Sequence, residues 1–229
     1  FFFKQKTAYE IKECDWSSDV CSSDLRNPEL CLPLAAWREC FSGWIAHPNE
    51  TALLKASIFF DFRAITGNAS LADALHEHLV TVAPPGRSFQ YHLARIALES
   101  TPPLGLVREF AVDQEGQLDL KKSGARIIID AARVFALAHG VAATNTVQRL
   151  RMAGPTMNMS LGEIEAAVSA FDFLQTLRLR HQQHGGLTTR ARANQIDPYG
   201  LNAVDRRMLK ESLRQAGHLQ SRLKLDYQL

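Results

Sequence analysis

Apolar residues recur every three or four positions along most of the chain, and proline, glycine or polar turns interrupt these stripes. This spacing is typical of amphipathic helices, each of which must bury its apolar face against other helices. One passage departs from it, because Phe110 and Val112 alternate with polar residues before a turn at 113–116, and Leu118 and Leu120 alternate after the turn. The sequence therefore predicts an all-α helical bundle of about seven to eight helices with one small β-hairpin.

Caps and breakers place the ends of the predicted helices. Asn145 with Gln148 and Ser160 with Glu163 have the spacing of capping boxes, and Gly140 is suited to a left-handed residue after a helix. We expect a helix near 125–138 to bury Ile127, Ile128, Ala131, Val134, Phe135 and Leu137. We expect the last two long helices to bury Leu161, Ile164, Val168, Phe171, Leu174, Val204, Met208, Leu213, Ala216, Leu219 and Leu223.

The first 25 residues carry a different signal. Back-translated, residues 3–11 and 15–25 resemble a common short-read sequencing-library adapter. A translated adapter has not been selected for folding, so we expect residues 1–25 to be an artefact that takes no part in the fold. Residues 26–32 are then predicted to be the exit of a truncated upstream domain, and residues 33–229 to be the helical domain.

The charge of the chain excludes some partners. Without the first 25 residues the chain has 23 Lys and Arg against 19 Asp and Glu, which is too mild for a dedicated nucleic-acid binder. Residues 26–120 hold seven basic and eleven acidic side chains, whereas residues 121–192 hold ten basic and four acidic ones. The basic half is suited to attract an anionic ligand, although ordinary solvated helix faces would give the same distribution.

Cysteine usage and hydropathy bear on the compartment. Outside the first 25 residues only Cys31 and Cys40 occur, without a Cys-x-x-Cys spacing or a nearby histidine cluster. This indicates reduced thiols, a cytoplasmic location and no metal site. No apolar run approaches the length of a membrane span, so we expect no membrane partner.

Seven short motifs of mixed apolar and charged residues stand in order along residues 26–229. They are Asn-Pro-Glu at 27–29, Ser-Ile-Phe-Phe-Asp-Phe-Arg at 57–63 with Gly67 after it, Leu-Asp-Leu-Lys-Lys-x-Gly at 118–124, Asp-Ala-Ala-Arg at 130–133, Asn-Thr-x-x-Arg-Leu at 145–150, Leu-Arg-Leu-Arg-His-Gln at 177–182 and Asp-Arg-Arg-x-Leu-Lys at 205–210. Together they resemble the nucleotidyltransferase substrate-binding domain that closes bacterial proteins related to the PII-protein uridylyltransferase.

This resemblance implies partners and an activity. In that family a catalytic nucleotidyltransferase domain precedes the substrate-binding domain, often behind CBS-domain pairs or a cyclic-nucleotide-binding module. We therefore expect residues 26–32 to be the exit of a nucleotidyltransferase domain, and the upstream catalytic and regulatory domains to be the partners of this chain. The full protein would transfer a nucleotidyl group from an NTP to a protein or small-molecule acceptor in signal transduction.

The catalytic motifs of such enzymes are absent from this sequence. Nucleotidyltransferases of this superfamily hold the triphosphate on a Gly-Ser turn and two Mg²⁺ ions on paired carboxylates. The chain has no Gly-Ser dipeptide, and its spaced acidic pairs, Asp113-x-Glu115 and Glu163-x-Glu165, fit a turn and the first turn of a helix. We expect no cofactor and no catalysis in this chain alone, and we expect Mg²⁺ and NTP to bind the catalytic domain.

Polar residues within the motifs are the candidate substrate-binding residues. They are Asp61, Arg63, Lys121, Asp130, Arg133 and Arg149. We expect several of them to converge on a cleft that faces the catalytic domain. Structural roles compete with this interpretation, because Asp61 can pair with Arg63, and Asp130 lies three residues before Arg133. Lys121 can contact phosphate or be half of a solvated lysine pair at a helix entrance.

Two other classes of function remain open from the residues alone. Arg178 or Arg180 with His184 is similar to the short Arg–His spacing of helical HEPN ribonucleases, although basic residues also suit the end of a long helix. Trp37, Trp44 and the long helices would suit the homodimer seam of a non-catalytic interaction module. Core packing explains those two tryptophans equally well.

Overall fold

The structure, a computed structural model, describes residues 30–105, 109–184 and 194–229. Within these ranges the helices are α1 Leu34–Ala46, α2 Glu50–Phe59, α3 Ser70–Val82, α4 Arg87–Ala97, α5 Arg126–Ala138, α6 Thr146–Ala153, α7 Leu161–His184 and α8 Ala203–Tyr227. Strand β1 Leu118–Asp119 pairs antiparallel with β2 Gln195–Ile196. The predicted all-α fold is confirmed, and it carries one small two-stranded antiparallel sheet.

Side-chain caps begin several of these helices where the sequence predicted them. Asn145 accepts a hydrogen bond from the backbone N–H of Gln148, at 3.2 Å. Ser160 and Glu163 form a reciprocal capping box, because the Ser160 N–H and Oγ donate to Glu163 Oε2 and the Glu163 N–H donates to Ser160 Oγ. Both capping predictions are confirmed, and Gly140 has the predicted left-handed conformation with φ of 65°.

The chain divides into two compact units. The described residues up to His92, together with Leu137–Thr144, form the first unit. Its core is aromatic: α1 contacts α2 and α3, and the ring centroids of Phe41 and Phe60 lie 4.8 Å apart. Trp37 is buried in the same cluster, so core packing accounts for this tryptophan.

Segments Leu93–Ala136 and Asn145–Leu229 form the second unit, which holds most of the basic motifs. Helices α7 and α8 pack along each other, and α6 packs on α7. A π-helical turn, Lys121–Ala125, leads into α5 and contacts both long helices. Gly124 permits this approach, because a Cβ at that position would lie 3.3 Å from Leu174 Cδ2 and 3.7 Å from Leu213 Cδ2.

The partner of β1 differs from the predicted one. The turn at 113–116 is present, with Gly116 at φ of 75° and the Asp113 N–H donating to the Gln117 carbonyl. However, Leu118 pairs with Ile196 from the far end of the chain, not with the 110–112 segment. Both side chains are buried. The burial of these two apolar residues, and not their closeness in sequence, therefore determines which segments pair.

Three residues expected in the apolar stripes lie at the surface instead. Leu161 and Val204, in the first turns of α7 and α8, are 75% and 71% exposed. Met208 is also exposed, while the adjacent Leu209 is buried. The stripe of α8 thus runs through 209, 213, 216 and 223, about 100° around the helix from Met208.

Candidate functional site

The helical run that contains the predicted Lys121 begins at a capping carboxylate. Asp119, the last residue of β1, accepts hydrogen bonds at Oδ1 from the backbone N–H groups of Lys121 and Lys122, at 2.9 and 2.8 Å. The Ala125 N–H then donates to the Leu120 carbonyl, five residues back, which defines the π turn. Such turns are rare and occur frequently at functional sites.

Asn194 joins this helix start to helix α7. Its side-chain Oδ1 accepts hydrogen bonds from Arg178 Nε at 2.6 Å and from Gln182 Nε2 at 3.3 Å. Its backbone carbonyl accepts from the Leu120 N–H at 2.9 Å. Two sequence motifs that are separate in the chain, 118–124 and 177–182, therefore meet at one place in the second unit.

Arg178 is the half-buried cation at this junction. Besides Asn194, its Nη1 contacts Gln175 Oε1 at 3.1 Å, so both of these partners are neutral amides. Burial lowers the pKa of the Arg178 guanidinium, and attraction to Asp119 opposes that effect. An arginine pKa lies so far above neutrality that the group stays charged.

A second charged cluster follows along α5. The carboxylate of Asp130 lies 3.0 Å from Arg126 Nε and 3.2 Å from Arg133 Nη1. The side chains of Arg126, Asp130 and Arg133 are 30%, 15% and 8% exposed, so the cluster runs from the surface into the core. The local pairing expected between Asp130 and Arg133 is confirmed, and Arg126 joins it at the i,i+4 position.

The other predicted site residues occupy different places. Arg149 is buried on α6 in the second unit, and Lys121 is half-buried. Asp61 and Arg63 belong to the first unit, where Asp61 is buried and Arg63 is exposed. Since the Arg63 side chain is exposed, these two residues do not form a pair that is buried on both sides.

Lys121, Asp130 and Arg133 thus share one helical run, whereas convergence with Arg149 or with the first unit stays a prediction.

The acidic pairs of the sequence are committed to local structure. Asp113 Oδ1 accepts from the backbone N–H of Glu115 and of Gln117, which fixes the turn. Glu163 belongs to the capping box, and Glu165 forms an ion pair with Arg151 at 2.7 Å. In the described ranges no group of three or more His, Cys, Asp or Glu is placed to hold a metal ion. These residues therefore do not fit the Mg²⁺ that nucleotidyl transfer requires.

A depression of about 600 Å³ lies in the first unit, lined by Trp44, His47, Asn49 and Lys55 among others. Lys55 Nζ lies 6.0 Å from the centroid of the Trp44 ring, and Asn49 caps α2 by accepting from the Ala52 N–H. None of the predicted site residues lines this depression. Its lining residues belong to residues 43–55, whereas the charged clusters of the second unit are formed by residues after 118.

The nuclease interpretation gains no support from the described contacts. Arg178 is held by Asn194 and Gln175, and the side chain of His184 lies outside the described residues. The pairing of an arginine with His184 therefore stays a prediction. Trp44, from the proposed dimer seam, is half-buried against Phe41, Phe59 and Phe60 of its own unit.

Some residues of the two charged clusters had a signal in the sequence and others had none. The i,i+4 spacing of Arg126 and Asp130 is the spacing of a helical ion pair, and Asp119 before two lysines is suited to an Asx turn. Asn194 stands in a polar loop, 16 residues after Arg178. No local pattern links those two positions, so only the folded chain reveals their contact.

The fold and these clusters define an all-α domain with two buried or half-buried arginine sites. Residues 87–227 match the family described as "putative nucleotidyltransferase substrate binding domain". This match covers more than half of the chain, so the chain belongs to that family. Both charged clusters lie within the matched residues, while Asp61 and Arg63 precede them.

Searches among curated proteins and among solved structures each returned no significant match. No helix in the described ranges is long and apolar enough to cross a bilayer.

Proposed function

We propose that this chain recognises the acceptor substrate for a nucleotidyltransferase that transfers a nucleotidyl group from an NTP to a protein or small molecule. Membership of the substrate-binding family supports the type of domain. The observation that carries the proposal is the composition of one helical run: residues 121–133 hold four cations and a single carboxylate, Asp130. Such a run suits an anionic ligand or an anionic group at the transition state.

Within this run the exposed and the buried residues would have different roles. Lys122 is exposed and Arg126 is 30% exposed, so both side chains are accessible to a ligand. Arg133 is almost fully buried behind Asp130 and would orient that carboxylate. Asp130 in turn holds the Arg126 guanidinium in one position, which lowers the entropic cost of binding.

Catalysis would follow a division of labour. A separate nucleotidyltransferase domain would hold the NTP and Mg²⁺, since the acidic pairs of this chain are committed to a turn, a cap and an ion pair. This domain would hold the acceptor group near the nucleotide and exclude water, which converts a bimolecular encounter into a reaction within one complex. Regulatory modules such as CBS pairs or a cyclic-nucleotide-binding domain would control the enzyme in signal transduction.

The proposal is tested in the enzyme that joins this domain to its catalytic domain. Lys121→Ala should lower kcat/KM for the acceptor by roughly 10- to 100-fold, the range for losing a charge-assisted hydrogen bond, and the unfolding midpoint of the same variant separates loss of binding from loss of stability. Lys224→Ala, which removes an exposed lysine from the last turn of α8, is the matched control and should keep wild-type kinetics. Wild-type kinetics in Lys121→Ala, or an equal loss in Lys224→Ala, would reject this role.

A further inference from the structure

We infer that Arg178 forms an anion-binding site that takes a phosphate group of the ligand, at the junction of α7 with the strand pair. The identity of the ligand rests on the proposed function, whereas the existence of the site rests on the geometry of Arg178. This position lies outside the α5 cluster of Arg126, Asp130 and Arg133.

The guanidinium has donors to spare. An arginine carries five N–H groups, and the contacts of Arg178 use one on Nε and one on Nη1. The acceptors are the amide oxygens of Asn194 and Gln175, which are neutral and do not form an ion pair with the guanidinium. In residues 30–105, 109–184 and 194–229 no carboxylate lies within ion-pair distance of Arg178, so three N–H groups remain for a ligand.

The carboxylate that attracts Arg178 also caps the start of the π turn. Asp119 attracts Arg178 at a distance, but its Oδ1 accepts the backbone N–H groups of Lys121 and Lys122. The cation that the described residues place at this junction is therefore Arg178, beside two neutral amides and a carboxylate that caps a helical turn. A guanidinium held by neutral amides matches the oxygens of a phosphate monoester or a polyphosphate rather than a neutral acceptor.

The amide contacts also fix the guanidinium before any ligand arrives. Asn194 is anchored by its own carbonyl to Leu120, and Gln182 donates to the same Asn194 oxygen. Gln175 holds the other side of the group from one turn back along α7. A half-buried, prealigned arginine binds an oxyanion more strongly than a freely rotating surface arginine does, because less rotamer entropy is lost.

The competing interpretation is that Arg178 only anchors Asn194 to α7. In that case replacing Arg178 lowers stability but does not change the affinity for phosphate. The affinity for phosphate therefore separates the two roles.

The experiment titrates the 229-residue chain with pyrophosphate, tripolyphosphate and ATP, without metal, by calorimetry. The Arg178 Nε–H resonance is followed in parallel by NMR. Arg178→Ala should weaken pyrophosphate binding by roughly 10- to 100-fold, and Arg178→Lys, which keeps the charge without the planar fork, should weaken it by less. Arg207→Ala is the control for charge alone, since Arg207 is exposed on α8. It should leave the affinity nearly unchanged.

Two results would overturn the inference. One is equal loss of affinity in Arg207→Ala and Arg178→Ala, which means diffuse attraction to a basic surface. The other is an Arg178 Nε–H resonance that does not move at saturating pyrophosphate, a result that needs only the wild-type chain and holds even if the variants unfold.

Tighter binding of ATP than of tripolyphosphate would support a nucleotide at the site, and equal binding would support the phosphate group alone. Pyrophosphate binding at Arg178 combined with wild-type kinetics in the Lys121→Ala enzyme would keep this site and reject the proposed function.

Discussion

The two ion pairs of Asp130 should differ in strength, because its two arginine partners differ in exposure. The Arg133 side chain is 8% exposed and that of Arg126 is 30% exposed, while their distances to the carboxylate are similar, 3.2 and 3.0 Å. Exposed helical pairs contribute about 0.3–0.5 kcal/mol, whereas removing one partner of a buried pair costs about 3–5 kcal/mol. The Asp130–Arg133 coupling should fall between these limits, at about 1–2 kcal/mol, and the Asp130–Arg126 coupling near 0.5 kcal/mol.

Double-mutant cycles measure these couplings directly. The variants are Asp130→Ala, Arg133→Ala, Arg126→Ala and the two double variants that contain Asp130→Ala, and the assay is urea unfolding at pH 7. The exposed Glu211–Arg214 pair, which has the same i,i+3 spacing at 3.5 Å, is the matched control.

A coupling between Asp130 and Arg133 that is no larger than the Glu211–Arg214 coupling would refute the argument from burial. A small coupling would also argue against a structural role for Arg133 and would favour its role as a substrate-binding residue. A large coupling would instead mark Arg133 as a positioning residue behind Arg126.

Three further predictions concern activity, packing and pH. The chain alone should incorporate no label from NTPs with Mg²⁺ above a heat-killed control, and any incorporation would place catalytic groups within it. Gly154→Ala should destabilise the chain by about 1–3 kcal/mol in urea unfolding, since the new Cβ would lie 2.6 Å from Ile164, whereas Gly162→Ala, with no contact closer than 3.9 Å, should not. Hydrogen bonds from Ser160 lower the pKa of Glu163, so this contribution to stability is present above the unfolded pKa of about 4.3 and is lost as pH falls through the folded pKa. The difference in urea midpoint between the wild type and Ser160→Ala should therefore be smaller at pH 3 than at pH 7, and a constant difference would contradict it.

Local patterns in the sequence were sufficient to predict most helices and their ends. Asn145 caps α6 because its side chain needs only a backbone N–H three residues away, and the stripe of α5 is buried as its spacing predicts. The same spacing predicted the pair of Asp130 and Arg133, since three residues along a helix bring two side chains together. These outcomes depend on neighbours in sequence and on little else.

Contacts between distant segments could not be predicted in this way. The strand pairing of Leu118 with Ile196 and the hydrogen bond between Arg178 and Asn194 depend on which distant segments the tertiary fold brings together. The periodicity of apolar residues shows which face of a helix can be buried, but it does not show which positions another helix covers. The exposure of Leu161 therefore could not be predicted. The sequence therefore predicted the Asp130–Arg133 pair on α5 but not the contact of Asn194, and the substrate-binding role of these residues stays a prediction.

The division of the chain into two units has a consequence for how it can be synthesised and dissected. The last segment of the first unit, Leu137–Thr144, begins at the end of α5. It packs closely on α3, because a Cβ on Gly140 would lie 3.1 Å from the carbonyl oxygen of Val80. On the ribosome the first unit therefore cannot close until residue 144 has emerged. By then the whole first segment of the second unit, Leu93–Ala136, is already outside the exit tunnel. A fragment cut after His92 would lack this closing piece, so neither unit is obtained both complete and alone by a single truncation.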